Sequence, residues 1–224
     1  MAWSKRTRRV VWWLLFLGMS TPLLWVLYNW ALLVDEGLDL GFLSGLGYHS
    51  LTANPIEYTN RFLGDWALRF LLVGFAVTPL ARLFRTKQPV AYRRMIGLWA
   101  FTYVCLHLTS YIVLDQFFDW GEIWKDISKR NYITLGMTAF VLLLPMAITS
   151  TKGWIKRLGA KRWKSLHKAI YLIAPLASVH YFMMAKGNQL DPKIYMGIVV
   201  LLLGLRFWFR VQDKTKAATR RAAD

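Results

Sequence analysis

The apolar residues of this chain do not alternate, and they do not line one face of otherwise polar helices. They come in six long runs, roughly residues 10–34, 65–84, 96–114, 132–149, 166–185 and 193–211, each apolar on almost every side. A run with no polar face must be surrounded by apolar material. The hydrocarbon core of a bilayer, about 30 Å thick, is crossed by about 20 helical residues, and an unpaired backbone group there is costly. The pattern therefore predicts an all-α polytopic membrane protein: residues 1–9 as an N-terminal segment, a six-helix transmembrane bundle over 10–211, and a short polar tail over 212–224. Pro22, Pro79, Pro145 and Pro175 fall inside the runs. Each frees a carbonyl one turn back, which neighbouring spans can satisfy, so local kinks are expected.

Composition sharpens this picture. Hydrophobic residues make up 56% of the 224 and charged residues 18%, while 29 Lys+Arg against 12 Asp+Glu give a net charge of +17. Too few polar groups exist to cover a soluble surface, and the long apolar runs argue against nucleic-acid binding as the use of the positive charge. The basic residues sort by loop. Lys5, Arg6, Arg8 and Arg9 precede the first run; Arg82, Arg85, Lys87, Arg93 and Arg94 follow the second. The connection after the fourth run carries seven, from Lys152 to Lys168, and the C-terminal end carries Arg206, Arg210, Lys214, Lys216, Arg220 and Arg221. By the positive-inside rule this side, with both termini, is cytoplasmic, and the charge also draws the protein to anionic lipid headgroups. The segment Thr7-Arg8-Arg9-Val10-Val11 faintly resembles a twin-arginine start, but the run after it is longer than that of a signal peptide, and Asp35-Glu36 follows in place of a small-residue cleavage site. It reads as a retained helix.

The candidate chemistry lies in the histidines. His107 falls in the third run, and His167 and His180 in the fifth. An ionisable side chain at membrane depth requires a compensating partner, and ligation of iron by neutral imidazole is one. At about 1.5 Å per residue, His107 lies roughly 20 Å beyond Arg94 and His180 roughly 24 Å beyond Lys164. Both helices run outward, so the two imidazoles share a depth suited to clamping one haem iron from opposite sides. His167 lies roughly 5 Å deep and must occupy a separate inner position. It is read either as ligand of a second, inner haem or as a contact to a propionate, a flavin phosphate or lipid headgroups. Counting back 13 or 14 residues from His107 reaches Arg94 or Arg93, which face that inner level. In a straight helix His167 and His180 would stand about 140° apart, so the segment must bend or change register, with Pro175 as a candidate cause. His49, in the outer loop, reads as solvated.

Other chemistry finds little support. No G-x-G-x-x-G, P-loop or H-E-x-x-H occurs, and the lone Cys105, without a C-x-x-C-H motif, reads as a packing residue. Ser110 has no triad companion that the sequence identifies. A proton-coupled transporter, with the buried histidines and Arg69 as a relay, remains the alternative of a different class.

Several segments carry a family resemblance: Gly64-Asp65-Trp66-Ala67-Leu68 through Thr78-Pro79-Leu80-Ala81-Arg82, Arg93-Arg94-Met95-Ile96-Gly97-Leu98-Trp99 through Leu106-His107-Leu108-Thr109-Ser110-Tyr111, and Tyr132-Ile133-Thr134-Leu135-Gly136. They continue through Ala147-Ile148-Thr149-Ser150-Thr151 and Trp163-Lys164-Ser165-Leu166-His167-Lys168 to Val179-His180-Tyr181. These resemble the MsrQ (YedZ) family, haem-binding membrane subunits of the bacterial periplasmic methionine sulfoxide reductase system, within the ferric reductase-like transmembrane superfamily. The resemblance covers five of the six runs. It implies an inner-membrane b-type cytochrome with one haem b or two, His107 and His180 as axial ligands, His167 at a second haem, and Arg94 where related oxidases carry a histidine. It further implies FMN, electrons from the quinone pool or a cytoplasmic flavin reductase, and delivery to the molybdopterin enzyme MsrP. Sulfoxide reduction would occur on that partner, returning oxidised methionine to an apolar thioether. A stand-alone ferric or quinone reductase is the alternative within the same superfamily.

Overall fold

The computed structural model describes residues 3–38, 50–185 and 188–223, and among these it is helical with no strand. The helices are α1 (Lys5–Gly37), α2 (Pro55–Leu83), α3 (Arg93–Ser110), α4 (Trp120–Lys129), α5 (Asn131–Ile148), α6 (Lys152–Leu166), α7 (Ile170–Met184) and α8 (Asp191–Ala223). His49 lies outside the described residues. Five helical segments are long and apolar enough to cross a membrane: Lys5–Gly37, Pro55–Leu83, Pro89–Asp115, Asn131–Ile148 and Asp191–Arg220. The remaining predicted run, 166–185, takes a different form. It begins with a 3₁₀ turn at His167–Ala169 and continues as α7, which has 15 residues. Large apolar side chains such as Leu14, Val141, Val200 and Phe207 are exposed. That outward apolar surface suits lipid, not water.

The chain forms two compact units. The first comprises Met1–Phe70 and Met95–Trp124; the second comprises Leu71–Arg94 and Lys125–Asp224. In the first, α1 starts on Ser4, whose hydroxyl accepts from the Thr7 amide at 3.0 Å and caps the helix. Pro22 interrupts the ladder further along. The Thr21 hydroxyl donates to the freed Gly18 carbonyl at 2.8 Å. One residue on, the fully buried Tyr103 of α3 inserts its hydroxyl into the ladder, accepting from the Leu23 amide and donating to the Met19 carbonyl, both at 2.9 Å. A side chain that enters an i→i−4 pair in this way is a recognised cause of helix bending. Tyr103→Phe removes both bonds and is expected to lower stability by about 1–3 kcal/mol. Thermal unfolding in detergent measures this, and an unchanged Tm would contradict the bridging role.

In the second unit α5 packs against α7 and α7 against α8. Its core joins Phe75 of α2, Ala174 of α7 and Leu202 of α8, with Ala76, Ile170, Ile198 and Leu203 around them. Ala174 is fully buried, and its small side chain permits close approach of the helices. Pro79 leaves the Phe75 carbonyl without its intrahelical donor, and the Arg206 guanidinium supplies one through Nη2. The expected cross-helix rescue of a proline-freed carbonyl is thus present in the second unit, whereas in the first Thr21 of the same helix caps it and Tyr103 bridges the next pair.

Two helices occupy stretches read as loops. The short α4 carries Trp120, Ile123, Trp124 and Ile127 at helical spacing, with Ile123 buried. The basic connection forms α6, capped by Thr151 and interrupted at Gly159, where φ 75° and ψ 152° suit a residue without Cβ. The 212–224 tail continues α8 as far as Ala223, and Arg82 pairs there with Asp213 at 2.7 Å.

Candidate haem site

His107 sits near the end of α3, four residues before the helix widens into a π turn at Tyr111–Asp115. Its Nδ1 lies 2.8 Å from the backbone carbonyl of Asn60 in α2. A carbonyl can only accept, so Nδ1 carries the proton and the ring lone pair lies on Nε2. One turn further along α2 is Gly64. A Cβ at that position would lie 3.1 Å from both Cε1 and Nδ1 of His107. The imidazole thus lies across the bare backbone of a neighbouring helix, hydrogen-bonded to the carbonyl one turn earlier. The Asn60 side chain completes the hold, donating to the His107 carbonyl at 3.2 Å and to the Ser110 hydroxyl at 2.9 Å. Ser110 is buried and donates to the same backbone carbonyl at 2.8 Å, so its hydroxyl is engaged in the contact between α2 and α3.

The second unit repeats the device. His180 of α7 places Nδ1 2.7 Å from the Tyr132 carbonyl of α5, and a Cβ on Gly136 would lie 2.9 Å from that same nitrogen. In both cases the glycine follows the accepting carbonyl by four residues, so carbonyl and bare Cα share a helix face. In both cases the histidine comes from a distant part of the chain. Fixing one ring nitrogen on a carbonyl and leaving the lone pair on the other is the usual preparation of an imidazole for binding a metal. These residues fit a haem iron. Among the described residues no group of three or more His, Cys, Asp or Glu forms a metal cage.

His167 is held differently. Its Nδ1 lies 3.1 Å from the Trp163 carbonyl, and the Trp163 ring stacks on it at 3.9 Å between centroids. The Trp163 indole is itself anchored on the Thr149 carbonyl at 2.9 Å. Nε2 of His167 is buried with no partner at full hydrogen-bond geometry, although the Met146 backbone acts on the ring from nearby. The 3₁₀ turn starts at this residue, and its tighter winding reduces the angular separation from His180 from about 140° to about 80°. The register change thus falls at His167, while α7 runs through Pro175 as a single helix. Both arginines at the head of α3 are exposed, and Arg93 donates to the Thr78 hydroxyl at 3.0 Å and its charge acts on His167. Asn60, Gly64 and Gly136 carry no site signal in the sequence, and Tyr132 and Trp163 read there as interfacial aromatics near span ends, because their partners lie up to 48 residues away.

The pairing of α2 with α3 and of α5 with α7 through half-buried histidines lies largely in the part of the chain that matches a known family. Residues 63–178 fit the model of the ferric reductase like transmembrane component. Over 205 residues, covering 92% of this chain and 90% of the relative, it is 43% identical to the protein-methionine-sulfoxide reductase haem-binding subunit MsrQ of Caulobacter vibrioides. The chain belongs to the MsrQ family. Its similarity to MsrQ of Rhodospirillum rubrum reaches 55% over 156 residues, 70% of this chain and 75% of that one. The magnetosome protein MamZ of Magnetospirillum gryphiswaldense is 39% identical across 91% of this chain, which corresponds to only 30% of MamZ. As an MsrQ family member with several apolar helices, the protein is a multi-pass membrane protein of ferric reductase type.

Proposed function

We propose that this protein is a six-span b-type cytochrome of the bacterial inner membrane, with both termini cytoplasmic, that carries electrons outward to a periplasmic methionine sulfoxide reductase of the MsrP kind. The observation that carries the reading is the repeated clamp: His107 on the Asn60 carbonyl over Gly64, and His180 on the Tyr132 carbonyl over Gly136. Together with the similar depths counted from sequence, it supports these two histidines as the axial ligands of one haem b. Haem supplies a one-electron couple, and with both axial positions filled it favours electron transfer over oxygen binding. The protein's own part is to fix the tautomer and ring plane of each imidazole and to keep water from the iron. The family relationship supports the quinone pool or a cytoplasmic flavin reductase as donor, with FMN as a further cofactor. The seven basic residues from Lys152 to Lys168 give such a flavoprotein a surface to meet.

His167 is proposed as the inner station. A buried Nε2 with no partner at full hydrogen-bond geometry, beside a stacked indole, is costly unless something binds it, and a second haem, with Arg94 or Arg93 on its other side, would do so. The absorption spectrum of the purified protein, oxidised and then reduced with dithionite, tests the class. Sharp haem bands are expected; a featureless spectrum would favour a proton-coupled transporter.

A further inference from the structure

Arg206, which the sequence places merely among the basic residues at the C-terminal end, is turned inward in the second unit. Its Nη2 serves the Phe75 carbonyl and its Nη1 donates to the Tyr171 hydroxyl at 3.1 Å. The guanidinium also lies over both aromatic rings, 4.1 Å from the Phe75 centroid and 5.2 Å from that of Tyr171. The remaining donor, Nε, is buried without a partner. Capping the proline-freed carbonyl needs one neutral donor, not a charge. A half-buried guanidinium laid against two aromatic rings, in a helix that crosses lipid, bears a full positive charge, and an anion offsets the cost of its partial desolvation.

None is supplied by the described residues. Among the described residues neither Arg206 nor Arg93 forms an ion pair, and the charge of Arg93 acts on Arg206 as it does on His167. Tyr171, one turn beyond His167, and Thr78 each accept from one of these arginines, so each hydroxyl keeps a proton to donate. The Arg206 guanidinium, its Tyr171 hydroxyl and a buried N–H left over make a seat for negative charge, which the field of Arg93, held on Thr78, reinforces.

We propose that Arg206 and Tyr171, in the field of Arg93, bind an anionic carboxylate or phosphate group. The source is either the acid group of a cofactor held at His167, such as a haem propionate, or the phosphate of an anionic phospholipid. The first deepens the haem reading given above, and the second stands without it. Both use the same chemistry: charge-assisted hydrogen bonds from planar guanidinium groups to oxyanions.

The test compares Arg206→Gln and Arg206→Lys in the full-length protein purified in detergent. Gln retains an amide donor for the Phe75 carbonyl but no charge; Lys retains the charge. Haem midpoint potential and haem content are measured by redox titration, and tightly bound anionic phospholipid by phosphate and mass analysis. If a cofactor acid occupies the seat, Arg206→Gln lowers the potential of a haem that is still present, because a cation that favoured the reduced form is gone. If a lipid phosphate occupies it, Arg206→Gln at least halves the bound anionic phospholipid and leaves the potential unchanged. In either case Arg206→Lys stays closer to the parent. A preparation without haem sinks the cytochrome reading while leaving the lipid measurement intact. Should Arg206→Gln not accumulate, Tyr171→Phe, which removes only a hydroxyl, is expected to shift the same quantity in the same direction. Parental potential and parental lipid in Arg206→Gln, or in Tyr171→Phe where that variant stands in, overturn the proposal. So does equal loss in the Gln and Lys variants of Arg206, which assigns the residue to the Phe75 carbonyl alone.

Discussion

Gly136→Ala is expected to deplete the haem, although the same change in an ordinary helix interior would be favourable by about 1 kcal/mol. The added Cβ would lie 2.9 Å from Nδ1 of His180, closer than packed atoms allow, and a tight 3.1 Å from Cε1. The ring is the movable part, but it is pinned to the Tyr132 carbonyl at 2.7 Å. Relieving the overlap means turning the imidazole, losing that bond and misdirecting Nε2. Loss of such a supporting contact typically costs on the order of 10- to 100-fold in metal affinity. Gly64→Ala meets the His107 ring at 3.1 Å, so it should act in the same direction with smaller effect. Haem content per protein, read from the pyridine haemochromogen, decides: a fully loaded Gly136→Ala protein would mean that the glycine is no part of the ligand's support.

His167→Ala should separate the inner end of the pathway from the outer one. A haem held by His107 and His180 lies roughly 20 Å from the cytoplasmic edge in a core of about 30 Å. Tunnelling falls steeply over such a distance, so electrons entering from the cytoplasm need a station between. His167 offers one, with its tautomer set by the Trp163 carbonyl and its Nε2 buried with no partner at full hydrogen-bond geometry. The variant is expected to keep the low-spin spectrum of the His107 and His180 haem while reduction by a cytoplasmic donor slows markedly. Stopped-flow reduction, followed in the haem bands, measures it. Loss of all haem, or reduction at the parental rate, would contradict an inner station at His167.

The chain's class and its histidines were legible because both are statements about single segments. A run of some twenty apolar residues needs lipid wherever it lies, and an imidazole within such a run needs a partner. What surrounds the histidines was not legible, since it depends on which backbone another helix brings near. Gly64 and Gly136 look like any small residue of a membrane helix until the rings of His107 and His180 are laid across them. Tyr103 reads as one more apolar aromatic, yet it bridges the break at Pro22 from 80 residues away. The need to change register between His167 and His180 followed from counting, but its place did not. Pro175 was the visible candidate, whereas the 3₁₀ turn begins at His167 itself. The amphipathic α4 is within reach of periodicity, but it is shorter than a span and lies in the connection between two apolar runs. The run 166–185 shows the limit of hydropathy: its apolar length includes a 3₁₀ turn, so its α-helical part is shorter than its neighbours among the spans.

The most direct test of the account is the ligand spectrum of the His107→Ala and His180→Ala proteins, recorded beside the parent by absorption and low-temperature electron paramagnetic resonance. The parent is expected to show a six-coordinate low-spin haem with two imidazole ligands. Each variant should lose that signal, through a change to high spin or through loss of the haem. If both variants keep the parental low-spin spectrum, neither histidine holds the iron, and the repeated clamp has another purpose.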